Sequence, residues 1–387
     1  IGSYPAPGTS NAPVEGLLVV AFSGDVNIAS PDNLFGDCTV KGYVKNKATY
    51  GSQLVIYYDN LSYNTKYTLK LNAAALKDSS GNPLAQDYYM ELTTGPEFQR
   101  LYGASRYETS VEISKAGGSH ADYVVLATGE NFPDALCAAP LAVKYGAPIL
   151  LTYSSYLPSV VENEINRLQP KQIFLVGGTG VISDNIKTVL ENKGITVTRI
   201  AGADRYETSL EVAKYVDSSS GEAFVVTGEN YPDALSIASY AGTQQIPILL
   251  TSKDNLTDKV KNYISTKGVT KTYVIGGTGV VSDNVLNSLP GAERIAGSNR
   301  YETNVKVLSN FEFLFGETFF ATGEAFPDAL SGAALAGSIG SPVVLVSNSM
   351  PDNVLLNLRE NKGLMKSKVI LGGPSVVSDY IMDEIFK

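Results

Sequence analysis

Gly129-Glu-Asn-Phe-Pro-Asp-Ala-Leu136 occurs again as Gly228-Glu-Asn-Tyr-Pro-Asp-Ala-Leu235 and a third time as Gly323-Glu-Ala-Phe-Pro-Asp-Ala-Leu330. Two further motifs flank each copy in the same order. Arg106-Tyr-Glu-Thr precedes the first copy and recurs at Arg205 and Arg300, spacings of 99 and 95 residues. Val176-Gly-Gly-Thr-Gly-Val-Ile-Ser-Asp184 follows it and recurs as Ile275-Gly-Gly-Thr-Gly-Val-Val-Ser-Asp283 and Leu371-Gly-Gly-Pro-Ser-Val-Val-Ser-Asp379. Three linked motifs in three copies define units of about 100 residues, the size of a small domain and too long for a solenoid repeat.

Within the first unit, short apolar runs at 123–128, 148–152, 172–176 and 195–200 read as strands. Helical patterns cover 106–115, 133–145, 158–168 and 183–192. Strands alternating with helices predict a parallel sheet covered on both faces, so each unit is expected to be a three-layer α/β sandwich of the flavodoxin or Rossmann-like class.

Helix starts explain much of the motif chemistry. Ser105, Asp204 and Asn299 are good N-caps, and Glu108, Glu207 and Glu302 complete capping boxes three residues on. Pro133, Pro232 and Pro327 suit a first helical turn, where Asp134, Asp233 and Asp328 complement the helix dipole. The Gly-Gly pairs predict tight turns, with Ser183, Ser282 and Ser378 capping the following helices. Read as a phosphate cradle, the loop matches neither G-x-G-x-x-G nor a Walker motif. Capping does not explain Arg106, Arg205 and Arg300, because a cation at a helix start opposes the dipole. Each therefore calls for a partner: a carboxylate, such as the Asp of Pro-Asp-Ala-Leu in its own or a neighbouring unit, or an anionic ligand that the guanidinium grips as a fork.

The chain of 387 residues is 44% hydrophobic and 18% charged, an ordinary globular composition, with formal net charge −9 and pI near 4.9. That balance argues against a general nucleic-acid binder. All eight arginines lie beyond residue 98, and Arg199, Arg294 and Arg100 recur in equivalent places. A net-negative chain can grip an anion only through such local clusters. The two cysteines, Cys38 and Cys137, fall in different predicted domains, and the single histidine, His120, is unique to the first copy. No apolar run approaches the roughly 18 residues of a membrane span. Ile1 to Ser10 reads as an extended lead-in from an upstream segment.

Residues 13–95 differ in kind. Leu17 to Phe22, Gln53 to Tyr58, Tyr67 to Leu71 and Tyr88 to Thr94 are strand-like and separated by turn residues, which predicts an antiparallel β-sandwich. The expected domains are 1–98, 199–293 and 294–387, with 99–198 as the first repeat. The third repeat ends at Lys387 without the closing strand of the other two; Glu97 to Tyr102 is a candidate to supply it.

The repeated motifs resemble the cell wall binding repeat 2 (CWB2) family of Gram-positive surface proteins, especially those of clostridia. The likeness rests on Gly-x-x-Arg-Tyr-Glu-Thr, Thr-Gly-Glu-Asn-Phe-Pro-Asp-Ala-Leu, Ala-Pro-Ile-Leu-Leu-Thr, and Val-Gly-Gly with Val-x-Ser-Asp, over roughly residues 99–387. The 13–95 segment resembles bacterial Ig-like domains of the Big_5 type. The resemblance implies three α/β units packed as a pseudo-threefold trimer. It further implies noncovalent attachment to an anionic, teichoic-acid-like wall polysaccharide in grooves between the units. Arg106, Arg205, Arg300, Arg199, Arg294, Asp134, Asp233 and Asp328 are the expected polymer-binding residues, with no metal and no cofactor.

A secreted, non-catalytic protein of the cell wall or S-layer follows, displaying its Ig-like domain to S-layer neighbours or a host surface. Two alternatives stay open. One is a wall hydrolase of amidase type using paired carboxylates such as Glu130 and Asp134. The other is an adhesin whose activity lies in the Ig-like domain.

Overall fold

The computed structural model describes residues 1–4, 6–12, 14–94 and 97–387. Pro5 of the lead-in, and Pro13 and Gly95 at the ends of the sandwich segment, lie outside the described residues. The chain divides into two compact units, 1–99 and 100–387.

The first unit is built from strands. Gly2–Tyr4, Gly16–Ala21, Gln53–Tyr58 and Val44–Tyr50 form one sheet in that spatial order, antiparallel throughout. Thr9–Ala12, Tyr88–Thr94 and Lys66–Leu71 form a second sheet. Alternate side chains (Leu18 and Val20; Leu54, Ile56 and Tyr58; Leu69 and Leu71; Met90 and Leu92) are buried in one core, the period-two pattern of a half-buried strand. A wholly antiparallel sandwich is not what forms: Thr9–Ala12 pairs in parallel with Tyr88–Thr94. Strands so far apart in sequence are not joined by a hairpin, so nothing imposes the antiparallel direction.

The second unit holds three copies of one sheet. In the first copy the spatial order is Ile149–Thr152, Tyr123–Thr128, Gln172–Val176, Thr196–Ile200, all parallel. The second copy repeats it with Ile248–Thr251, Glu222–Thr227, Lys271–Ile275 and Ala292–Ile295. Numbered along the chain, this is the order 2-1-3-4 of a doubly wound fold. The strands are buried on both faces, as a parallel sheet requires; Val124 to Ala127 and Phe224 to Val226 are wholly inaccessible.

The third copy has Val343–Val346, Glu317–Thr322 and Ser367–Leu371, and its fourth strand is Gln99–Leu101. The expectation from Glu97 to Tyr102 is met. Leu101 O accepts from Gly372 N at 3.0 Å, as Ile200 O and Ile295 O do from Gly177 and Gly276. The segment before repeat 1 thus completes the sheet of repeat 3.

Three helices, Arg106–Gly117, Arg205–Val216 and Arg300–Asn310, pack on the edge strands Ile149–Thr152, Ile248–Thr251 and Val343–Val346. Each brings one buried polar side chain to that edge: Ser110, Ser209 or Asn304 accepts from the N–H of Leu151, Leu250 or Leu345 at 3.3, 3.1 and 2.9 Å. An edge N–H that would otherwise be buried unpaired is satisfied this way.

The helices that begin at the repeated prolines pack against one another across repeats. Glycine permits the approach: a Cβ on Gly242 would meet Val143 at 2.7 Å, and one on Gly337 would meet Ser239 O at 2.8 Å. The predicted helix 133–145 forms in two pieces, a 3-10 turn Pro133–Cys137 and an α-helix Ala138–Lys144. Pro140 explains the break. It lacks the N–H that would reach Leu136, and repeats 2 and 3 have Ser239 and Ala334 there.

Candidate functional site

The starts of the Arg helices are capped as expected. Ser105 accepts from Tyr107 N, Asp204 from Glu207 N, and Asn299 from both Tyr301 N and Glu302 N. In repeats 2 and 3 the glutamate reaches one residue further back than a capping box, to Ala203 N and Ser298 N. Thr109, Thr208 and Thr303 have a role that the sequence reading did not assign. Their hydroxyls accept from the N–H of Gly103, Gly202 and Gly297 at 3.0–3.1 Å and staple the turn before the helix. The signal was present: a glycine stands three residues before each repeated arginine. Ser183, Ser282 and Ser378 do occupy N-cap positions, but only the Ser378 hydroxyl bonds its own helix.

Arg199 and Arg294 are engaged inside their own sheets. Each donates to the first Gly-Gly carbonyl, Gly177 O at 2.8 Å and Gly276 O at 2.7 Å, and ion-pairs with Asp184 or Asp283 at 3.0 Å. Arg100 repeats the arrangement with Gly372 O and Asp379. These arginines lock the closing strand to the Gly-Gly turn and complement the carboxylate at the next helix start.

Arg106, Arg205 and Arg300 behave differently. Each donates to a carbonyl of its own repeat, Gly129 O, Gly228 O or Gly323 O, and then faces a neighbouring repeat. Arg106 lies 5.9 Å from the Phe326 ring centre and Arg300 5.7 Å from that of Tyr231. Their electrostatic partners are the aspartates of Pro-Asp-Ala-Leu in the adjacent repeat: Arg205 with Asp134, Arg300 with Asp233, Arg106 with Asp328. Among the described residues none of these couples closes to an ion pair within 4.0 Å. The arginines and aspartates of the sequence reading are thus brought together, but across repeat boundaries and in a cycle.

Each aspartate is wedged under the Gly-Gly turn of its own repeat. A Cβ on Gly276 or Gly372 would come within 2.7 or 2.6 Å of an Asp233 or Asp328 carboxylate oxygen, and the glycines have φ of +122° and +103°. Both the close approach and the conformation exclude other residues. Burial raises the Asp233 and Asp328 carboxyls to about 6, against the opposing pull of Arg300 and Arg106. Asp134 is also raised by burial, opposed by a hydrogen bond from Thr208 and by Arg205.

The sign of the linkage follows. Between the usual carboxylate range and about pH 6 the folded protein holds protons that the unfolded chain has released. Stability therefore falls as pH rises through that window. The double variant Asp233→Asn, Asp328→Asn is expected to flatten the dependence of melting temperature on pH between 4.5 and 7. A slope identical to the parent's would show that these carboxyls are not the buried ones.

Between repeats 1 and 2 the couple lines a cleft of about 420 Å³, walled by Asn131, Asp134 and Gly178–Val181 on one side and Gly202–Arg205 and Thr208 on the other. Its charged donor is the Arg205 guanidinium, beside backbone groups of a glycine turn, suited to an anionic oxygen; the Thr208 hydroxyl is already turned onto Asp134. Glu130 does not share this cleft with Asp134. It accepts from Ser154 N at 2.7 Å and from the Ser154 hydroxyl, which hold its carboxyl low, with a smaller pull from Arg106. His120 is exposed, 3.2 Å from Asp122. Among the described residues no cluster of three metal-ligating side chains occurs, and no helix is long and apolar enough to cross a membrane.

A family model described as Cell wall binding domain 2 (CWB2) matches residues 100–187, 199–286 and 294–382, and one described as Bacterial Ig-like domain matches residues 1–94. N-acetylmuramoyl-L-alanine amidase LytC of Bacillus subtilis (strain 168) is 34% identical over 289 residues, 74% of this chain and 58% of that protein. The Amidase enhancer of the same organism is 36% identical over 256 residues, 65% of this chain and 35% of that protein. The chain therefore spans less than two thirds of either relative. Among solved structures, Cwp8 from Clostridium difficile superposes with a TM-score of 0.70 at 26% identity, covering 84% of this chain and 60% of its own. Cwp6 from the same organism gives a TM-score of 0.67 at 22% identity, covering 98% and 67%.

Proposed function

The chain belongs to the cell wall binding domain 2 family and carries a bacterial Ig-like domain, and on that premise we propose that it is a non-catalytic anchor whose three inter-repeat clefts grip an anionic wall polysaccharide. The observation that carries this reading is the cyclic arginine–aspartate couple: it recurs at every repeat boundary, with the arginine short of a closed ion pair. A guanidinium that is positioned but not neutralised by direct contact is poised to take an anionic oxygen as a fork. The cyclic couples and the mutual packing of the proline helices also support a pseudo-threefold arrangement of the repeats.

Three recurring arginine–aspartate couples favour avidity along a repeating polymer over a single chemical step. Glu130 and Asp134 face different arginines, which speaks against their use as an acid/base pair. On this reading the protein is secreted and held at the wall or S-layer, and the Ig-like domain is displayed to neighbouring proteins or a host surface.

The test is cosedimentation of the full chain with isolated walls, before and after the anionic polymer is stripped. Retention on intact walls and loss on stripped walls is the expected result. Equal retention on both would redirect the reading to peptidoglycan, and release of soluble wall fragments would revive the amidase alternative.

A further inference from the structure

Repeat 1 carries an aromatic feature that its sister repeats lack. Tyr156 stacks on Tyr153 with ring centres 4.5 Å apart and planes 22° from parallel, and Tyr153 leans on the buried Tyr107 at 4.1 Å. Repeat 2 has Ser252 and Asn255 in the equivalent places; repeat 3 has Ser347 and a loop one residue shorter. A tyrosine recruited only for packing would be covered, yet Tyr156 is 52% exposed. Its loop is held in place: Tyr156 O accepts from the Thr152 hydroxyl at 3.1 Å, and Ser154 is bonded to Glu130. Glu130, which Ser154 of this loop holds, follows Gly129, whose carbonyl accepts from Arg106, so the stack adjoins the Arg106 guanidinium at the boundary with repeat 3.

A second ring reaches that boundary. Tyr102 replaces Ala201 and Ala296 of the other boundaries and is 48% exposed. It lies 3.3 Å from where a Cβ on Gly373 would stand, beside the Gly372 turn that covers Asp328. At Gly178, the equivalent of Gly373 in the first cleft, the same space is open. Two exposed rings therefore distinguish this repeat boundary from the other two.

We propose that the Arg106 boundary is extended by a pyranose-stacking subsite on Tyr156 and Tyr153, with Tyr102 as a second aromatic contact. The inference rests on the polymer-binding reading above. A π face is negative and attracts the weakly positive C–H face of a sugar ring, whereas a polar hydroxyl rim seeks hydrogen bonds. Here the rim has Glu130 as an acceptor and Arg106 as a donor beside the stack. At the other two boundaries the equivalent loops carry Ser252 and Asn255 or Ser347 and Ser349 in place of the stacked pair, so on this proposal the Arg106 boundary recognises the sugar and the others recognise the charge.

The test compares two probes on the full chain: polysaccharide released from walls, and inorganic polyphosphate, which has charge but no sugar. Tyr156→Ala is expected to weaken polysaccharide binding about 3- to 10-fold and to leave polyphosphate binding unchanged. Tyr156→Phe should retain both, and Asn255→Ala in repeat 2 should change neither. Unaltered polysaccharide binding by Tyr156→Ala, or an equal loss for both probes, overturns the subsite. Failure of the parent chain to bind the polysaccharide would bring down the polymer reading itself, and this subsite with it.

Discussion

Replacing Arg106, Arg205 and Arg300 together with alanine is expected to abolish retention on isolated walls at physiological salt. A hydrogen bond between a guanidinium and an anionic oxygen contributes about 1.5–3 kcal/mol, roughly tenfold or more in affinity at each cleft. On the proposed function the three boundaries would engage one polymer, and losses at each would then multiply rather than add. The geometry warns of a second effect. Each arginine also holds the carbonyl of Gly129, Gly228 or Gly323 in its own repeat. The triple lysine variant separates the two roles, since it keeps the charge while losing the planar fork. Partial retention by lysine and none by alanine, both with unchanged circular dichroism, is the expected pattern. Full retention by a folded alanine triple would assign these arginines to structure alone.

Phe224→Ala should produce the largest loss of stability, about 3–5 kcal/mol. Phe224 is fully buried and touches Tyr240, Tyr273 and Phe311 at ring separations of 6.3, 5.6 and 5.5 Å. Phe311 follows the Arg helix of repeat 3, so this ring cluster joins two repeats through a single core. At the preceding boundary Phe174, which occupies the position of Tyr273, has Tyr215 of repeat 2 packed on it. The denaturant midpoint of Phe224→Ala should fall well below that of Leu356→Ala, a control at a side chain 57% exposed. A shift no larger than the control's would mean that the boundary core is not shared.

Much of the fold was legible because its information is local. The strand runs, the proline-initiated helices and the N-caps each depend on residues within one turn or one strand, and threefold repetition averaged out the noise of any single copy. What escaped the reading was set by contacts at long range. Val44–Tyr50 is too polar to read as a strand and forms one as an edge against Gln53–Tyr58. The break before Ala138 depended on one proline within an otherwise helical pattern. The role of Thr208, an acceptor for the Gly202 N–H, went unread although the repeated glycine that signals it is local.

The candidate site divides the same way. The sequence alone determined that three arginines stand where a helix dipole opposes them and that each needs a partner, because dipole and charge are properties of a single segment. It also marked the aspartates, as helix starters and as candidate partners of the arginines, without saying in which repeat. Only the tertiary structure decided that each partner belongs to another repeat. It also decided that the segment before repeat 1 closes the sheet of repeat 3, and that Arg199 and Arg294 are occupied within their own sheets while Arg106, Arg205 and Arg300 face the neighbouring repeat. The reason is physical: the repeats carry nearly the same motifs, so the sequence holds the same carboxylate three times. Which copy a guanidinium meets is settled by how the buried faces of the proline helices pack, a contact that no local pattern encodes.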